Sequence, residues 1–284
     1  MQSPRSCPKL RVLIVGQQNS FEHVLIKNIQ NWGYEAIVLP SSSALSGSDA
    51  EGDVLLYDLD EASRIATIMD HKGALIQVPG KATPLFLVGN SSKKYEERWP
   101  HVRLTIALSS HSASRSTLEQ IGAVALLQTP FEIGRLQRYL QVLQRLLLEP
   151  GETKPVSDKI RVLVVDDDIA IASAVEQCLI FESNYEVAVA HDGLEALEQC
   201  LAWRPHCIVT DLIMPWMNGY QVMRCLNAAS LHARPAFVIM SALTQLEVPW
   251  NRSYMRGNQV AYVDKPFNVD HLLSAIEQVC FHRI

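Results

Sequence analysis

A chain of 284 residues is long enough for about two domains, and a 48% hydrophobic content supplies each with a core. With 25 basic against 30 acidic residues and a formal charge of -5, it lacks the basic footprint of a nucleic-acid binder, so no DNA partner is expected. Its apolar runs fall short of the roughly 18 residues a membrane span needs, and MQSPRSCPKL has no signal-peptide core; no membrane partner is expected, and the cytoplasm is the expected location.

The first strand is RVLIV at 11–15, an unbroken aliphatic run. A helix is predicted over 21–32, with strands at 34–39 and 54–57. Between those strands PSSSALSGSDAEG, 40–52, has the composition of a loop where a second helix would stand. Runs at 85–88 and 103–108 both fit a fourth strand, and pattern alone leaves the choice open. A strand at 124–127 and a helix at 132–148 close this half. EPGETKPVSDK, 149–159, then interrupts the periodicity with Pro, Gly and alternating charge. The division read from this is a domain at 1–150, a linker at 151–159 and a second domain at 160–284.

The second half repeats the rhythm: strands at 161–165, 185–190, 207–210, 236–240 and 260–263, with helices at 170–181, 193–203, 219–229, 245–256 and 269–281. Strands alternating with helices predict a parallel sheet covered on both faces, so the fold class is α/β: two tandem domains, each a five-stranded parallel sheet flanked by helices. From Asp58 to Thr129 there are 71 positions against 54 from Asp211 to Lys265, so the first half carries a surplus between matching landmarks.

The six cysteines never fall into a CxxC spacing and mostly sit in apolar segments, which reads as buried reduced thiols. The nine histidines include no HExxH and no pair at helical ligand spacing, so His111 and His191 are taken as structural or solvated.

The polar residues of the second half are placed differently. Asp166 and Asp167 follow its first strand, Asp211 its third, Ser241 its fourth and Lys265 its fifth. In an open parallel sheet those ends share one edge, so residues distant in sequence converge on one pocket. Carboxylates crowded there need positive charge, which Lys265 and a hard divalent ion such as Mg²⁺ would supply. Phosphoryl transfer uses that arrangement, with Asp211 as nucleophile, Ser241 donating to a phosphoryl oxygen and Lys265 pairing with it.

VLVVDDD, TDLIMPWMNG, VIMSA and YVDKPF resemble, in order and spacing, the motifs of receiver domains of bacterial two-component response regulators, over residues 159 to 284. The resemblance implies a flavodoxin-like sheet, Asp211 as phosphoacceptor and Mg²⁺ as cofactor. The metal would be held by Asp166, Asp167, Asp211 and the backbone carbonyl of Ile213. It further implies that Ser241 and Lys265 sense the phosphate and that Tyr262 is the aromatic switch. Asp168 is read as a solvated loop or helix-capping residue rather than a ligand. Met214, Pro215 and Gly219 are read as loop-shaping, the glycine permitting a tight turn. Two departures stand out: Ile213 and Leu243 are apolar where many receivers place a polar residue that orients the hydrolytic water, so slow autodephosphorylation is expected.

In the first half the acidic pair becomes Gly16 and Gln17, the lysine becomes Thr129 in LLQTPF, and the switch aromatic becomes Leu126, with Asp58 alone retained. That pattern resembles a degenerate pseudo-receiver, and a carboxylate without cations around it is not expected to take a phosphoryl group. Ile133, Leu136, Leu140, Leu143 and Leu147 form a seam of two heptads that either packs on its own sheet or meets the second domain or another subunit, giving a possible homodimer through 132–148.

The resulting expectation is a response regulator that accepts phosphate from a histidine kinase or phosphotransfer protein, with no enzymatic turnover beyond its own phosphorylation and dephosphorylation. With the chain ending at Ile284, output is expected through protein contacts on the fourth helix, fifth strand and fifth helix of the second domain. The rival readings are a non-phosphorylated scaffold and a hydrolase using Asp211.

Overall fold

The computed structural model describes residues 9–15, 20–40, 43, 48–60, 62, 99–113, 117–118, 121–149, 159–229, 234–242 and 259–281. The expected strand at 85–88, the helix at 245–256, residues Gly16, Gln17 and Leu243, and all but Lys159 of the expected linker lie outside them. The chain divides into two compact units, Met1–Gln144 and Arg145–Ile284.

The first unit contains β1 (Arg11–Val15), α1 (Ser20–Asn31), β2 (Glu35–Leu39), β3 (Gly52–Asp58), β4 (Val102–Ser109) and β5 (Ala123–Gln128), followed by α2 (Ile133–Leu148). Its five strands are all parallel, in the order β2-β1-β3-β4-β5. The choice left open by the sequence is thereby settled for the described residues: β4 is the 103–108 run, extended by one residue at each end. β3 and β4 are buried over most of their length, as strands covered on both faces must be.

The second unit contains β6 (Arg161–Val165), α3 (Ile169–Glu182), β7 (Glu186–Ala190), α4 (Gly193–Ala202), β8 (Cys207–Asp211), α5 (Gly219–Ala228), β9 (Ala236–Ser241), β10 (Val260–Asp264) and α6 (Val269–Phe281). Its sheet is also parallel, ordered β7-β6-β8-β9-β10. In both units the order counted within the unit is 2-1-3-4-5, that of flavodoxin-like folds, with a switch point between the first and third strands.

Local chemistry fixes where the helices begin. Asp168 caps α3 by accepting from the amides of Ala170 at 2.8 Å and Ile171 at 3.3 Å, the second of the two roles open to it. Asp192 caps α4 through Glu195 N at 2.7 Å, and Asn218 with Gln221 forms a reciprocal capping box on α5. On one face of the second sheet Val162, Val164, Val209, Val238 and Met240 pack with Val175 and Leu179 of α3 and with Leu272, Ile276 and Val279 of α6. Each such side chain contributes about 1.5–3 kcal/mol by leaving water. This anchoring makes the carboxyl edge of the sheet a rigid frame for the loops that leave it.

α2 buries Leu136, Tyr139, Leu140, Val142, Leu143, Leu146 and Leu147. Of the heptad seam, Leu136, Leu140, Leu143 and Leu147 are thus buried, whereas Ile133 is exposed.

Candidate functional site

Asp166, Asp211 and Lys265 come together at the carboxyl edge of the second sheet, beside the switch point between β6 and β8. Asp166 follows β6, Asp211 ends β8, and Lys265 follows β10, two strands away. The lysine reaches across so that Nζ donates to Asp166 Oδ2 at 2.8 Å and to Asp211 Oδ1 at 2.9 Å. Side-chain exposures of 2% for Asp166, 13% for Asp211 and 18% for Lys265 place this group in a recess largely shielded from solvent.

The remaining carboxylate oxygens are held by backbone. Asp168 N donates to Asp166 Oδ1 and Ile213 N to Asp211 Oδ2, each at 3.0 Å. Lys265 N donates to Ser241 O at 2.6 Å, and Leu212 N to Met240 O at 3.0 Å, so the loops after β8 and β10 are tied to β9. Ser241 is itself buried.

Charge in the recess is incompletely balanced. Burial raises the Asp211 carboxyl above its ordinary value, the neighbouring Asp166 adds to this, and the hydrogen bond and charge of Lys265 offset only part. For Lys265 burial acts downward, but its bonds to Asp166 and Asp211 win and its affinity for a proton rises. Two carboxylates thus share one cation, and the donor set has the hard oxygen chemistry that suits Mg²⁺. Among the described residues, however, no three Asp, Glu, His or Cys side chains are grouped so that they could hold a metal. Asp167, the expected third carboxylate, is exposed beside the recess.

The loop after Asp211 frames the opening. Met214 and Met217 are buried and anchor it, whereas Ile213 is 59% and Trp216 41% exposed. Trp216 takes a φ of 66°, a left-handed conformation that costs a bulky residue roughly 1–2 kcal/mol relative to glycine. Gly219, expected only to permit a tight turn, also allows a close approach. A Cβ there would lie 2.8 Å from the carbonyl oxygen of Asp211 and 2.8 Å from Thr210 Cγ2, so the glycine lets α5 start directly against the acidic strand. Tyr262 is half-buried on β10, and burial together with the nearby Tyr220 hydroxyl pushes its own hydroxyl well above the ordinary tyrosine value.

Residues 162–277 match the family model of the response regulator receiver domain. The second unit is a response regulator receiver domain. It is similar to Response regulator MprA of Mycobacterium ulcerans, at 33% identity over 115 residues that make up 40% of this chain and 47% of that protein. It is also similar to protein-glutamate methylesterase/protein-glutamine glutaminase 2 of Rhodopseudomonas palustris, at 33% identity over 107 residues, 38% of this chain and 28% of that one. A solved signal receiver domain from Bermanella marisrubri is 30% identical, with 43% of this chain and 98% of that one covered and a TM-score of 0.38. The chain spans about half the length or less of these two relatives.

Strand register aligns the first unit with this receiver domain residue by residue. Asp58 pairs with Leu108 as Asp211 does with Met240, which puts Ser109 where Ser241 stands. Ser109 pairs with Gln128 as Ser241 does with Asp264, which puts Thr129 at the place of Lys265. Thr129 N donates to Ser109 O at 2.7 Å, the counterpart of the Lys265 bond, and both following Pro peptides are cis. Asp58 Oδ1 accepts from Asp60 N at 2.9 Å, matching Asp211 and Ile213.

The sequence reading retained only Asp58 in this half. The register adds Ser109, whose signal is IALSS set against VIMSA, and it adds a network that the sequence did not suggest. Asp60 accepts from Ser109 Oγ at 2.9 Å and Ser110 N at 2.6 Å, and Ser110 Oγ meets His111 Nδ1 at 2.7 Å. Burial works to raise the Asp60 carboxyl, but the bonds from Ser110 and Ser109 win and hold it below its ordinary value. Phe131 of the TPF motif meets Phe21 of α1 edge to face at 6.1 Å. The first unit therefore keeps the receiver strand order and, among the described residues, the backbone ties at Asp58 and Thr129, while a neutral threonine replaces the cation.

Proposed function

We propose that the second domain accepts a phosphoryl group on Asp211 from a histidine kinase or phosphotransfer protein and signals through protein contacts. The observation that carries this reading is Lys265 Nζ held between Asp166 and Asp211 in a recess at the sheet edge. The Ile213 amide fixes the Asp211 carboxylate, so an oxygen can attack phosphorus as the bond from phosphorus to the donor's imidazole nitrogen breaks. Lys265 then exchanges one carboxylate contact for the phosphoryl oxygen, and Ser241, beside Asp264 in the register, donates to another. Asp166, Asp167, Asp211 and the Ile213 carbonyl would hold Mg²⁺, with exposed Asp167 turning inward. The ion would neutralise charge on the transferring group.

Phosphorylation favours one of two pre-existing conformations of the domain, and Tyr262 on β10 follows it. Exposed, apolar Ile213 at the opening offers the attacking water no hydrogen bond, which supports slow autodephosphorylation.

The first domain is read as a non-phosphorylated partner-binding module because Thr129 stands where Lys265 would be. A homodimer through 132–148 would have to be built on Ile133 and the polar face of α2, since the rest of its seam is buried.

Trp216, five residues past Asp211 and partly exposed, provides the test. Its fluorescence should change on adding Mg²⁺ and change again with beryllofluoride, and Asp211→Asn should abolish the second step. If neither ligand moves the signal and the variant behaves like the parent, the scaffold reading replaces this one.

A further inference from the structure

On the face of the second sheet away from Tyr262, strand β8 and helix α6 bring two cysteines together. Cys207 opens β8 and is fully buried within the core cluster. Cys280, in the last turn of α6, is partly exposed and packs against the same cluster. The two side chains and Tyr185, just before β7, therefore pack in one cluster, and Cys280 acts on the Cys207 thiol as a hydrogen-bond partner. That partner and burial push the Cys207 thiol up, so Cys280 is the first to react, and the acidic recess uses neither sulfur. Cys200 and Cys225 are buried within α4 and α5.

We propose that Cys207 and Cys280 form a thiol-oxidation site, closed to a disulfide by a low-molecular-weight disulfide such as oxidised glutathione. Cys280, the more accessible, attacks one sulfur of the reagent as its thiolate, releasing one small thiol and leaving a mixed disulfide on Cys280. Cys207 loses its proton and attacks the Cys280 sulfur, expelling the second small thiol. The two protein thiols are oxidised by two electrons, the reagent is reduced by two, and the two protons end on the small thiols. The bond joins the start of the strand that ends in Asp211 to the end of α6, pinning that helix to the sheet. In a reducing compartment such a bond is a reversible response to oxidation rather than a permanent staple.

The test uses the full chain incubated with oxidised glutathione and then digested without reduction. The expected result is a peptide pair cross-linked through Cys207 and Cys280, two hydrogens lighter than the reduced pair. The melting temperature should rise by several degrees and return with dithiothreitol. Cys280→Ser, near the surface, should lose both the cross-link and the rise, and Cys207→Ser should lose the cross-link. The proposal is overturned if all six thiols stay free, if Cys280 retains glutathione as a stable mixed disulfide, or if Cys280 bonds Cys178 instead.

Discussion

Replacing Lys265 with methionine keeps the length of the side chain and removes the cation that holds Asp166 and Asp211 together. Two charge-assisted hydrogen bonds, at 2.8 and 2.9 Å, are lost, and two carboxylates with side-chain exposures of 2% and 13% are left facing each other. Such bonds contribute about 1.5–3 kcal/mol each. Breaking a buried pair from one side costs about 3–5 kcal/mol. The lysine is itself 18% exposed, so water can enter and relieve part of the penalty, which places the expected loss near the lower limit, about 3 kcal/mol.

Urea unfolding at neutral pH, followed by tryptophan fluorescence, reads this directly. With a slope of roughly 2 kcal/mol per molar, the midpoint should fall by about 1.5 M. The loss should shrink in acid, where the carboxylates take up protons, and Mg²⁺ should stabilise the variant more than the parent. Asp211→Asn in the Lys265→Met background should recover stability because it removes one of the stranded charges. A midpoint within about 0.3 M of the parent, unchanged by the second substitution, would refute the assignment of Lys265 as the charge that holds the recess together.

Gly219→Ala should cost about 1–3 kcal/mol, because its methyl group meets the backbone of Asp211 rather than a movable side chain; thermal unfolding checks this, with a neutral result counting against the close approach. Asp168→Ala should cost only about 1 kcal/mol while leaving Mg²⁺ binding intact, as suits a helix cap that is not a metal ligand. Stability should decline in alkali. The hydroxyls of Tyr262 and Tyr185 are both raised by burial, Tyr185 to about 12, so the unfolded chain releases these protons first, starting near the ordinary value of 10.0. Lys265, raised by its carboxylate partners, acts in the same sense: its contribution is full below 10.5 and lost as pH climbs through the higher folded value. Denaturant titrations from neutrality into alkali should show this loss, and Tyr262→Phe should reduce it.

The alternation of strands and helices was legible because the central strands are buried on both faces, which forces apolar runs such as VLVV in β6 and CIV in β8. Acidic and basic residues at strand ends were equally legible, since topology alone brings Asp166, Asp211 and Lys265 to one edge. The role of Gly219 was not, because a close approach between a helix and a neighbouring strand leaves no mark on local pattern. Ser109 was missed because two runs competed for the fourth strand and only hydrogen-bonded register distinguishes them. The Asp60–Ser109–Ser110–His111 network was missed for a related reason: it depends on which loops lie side by side. The buried seam of α2 was only half legible. Its periodicity was plain, but a seam that meets its own sheet and one that meets a second chain look the same in sequence.

Mass spectrometry of the full chain after incubation with acetyl phosphate and Mg²⁺ tests the central proposal most directly. One added phosphoryl group, mapping to Asp211 and absent in Asp211→Asn, is the predicted result. No addition, or a phosphoryl group on Asp58 where Thr129 replaces the lysine, would contradict it.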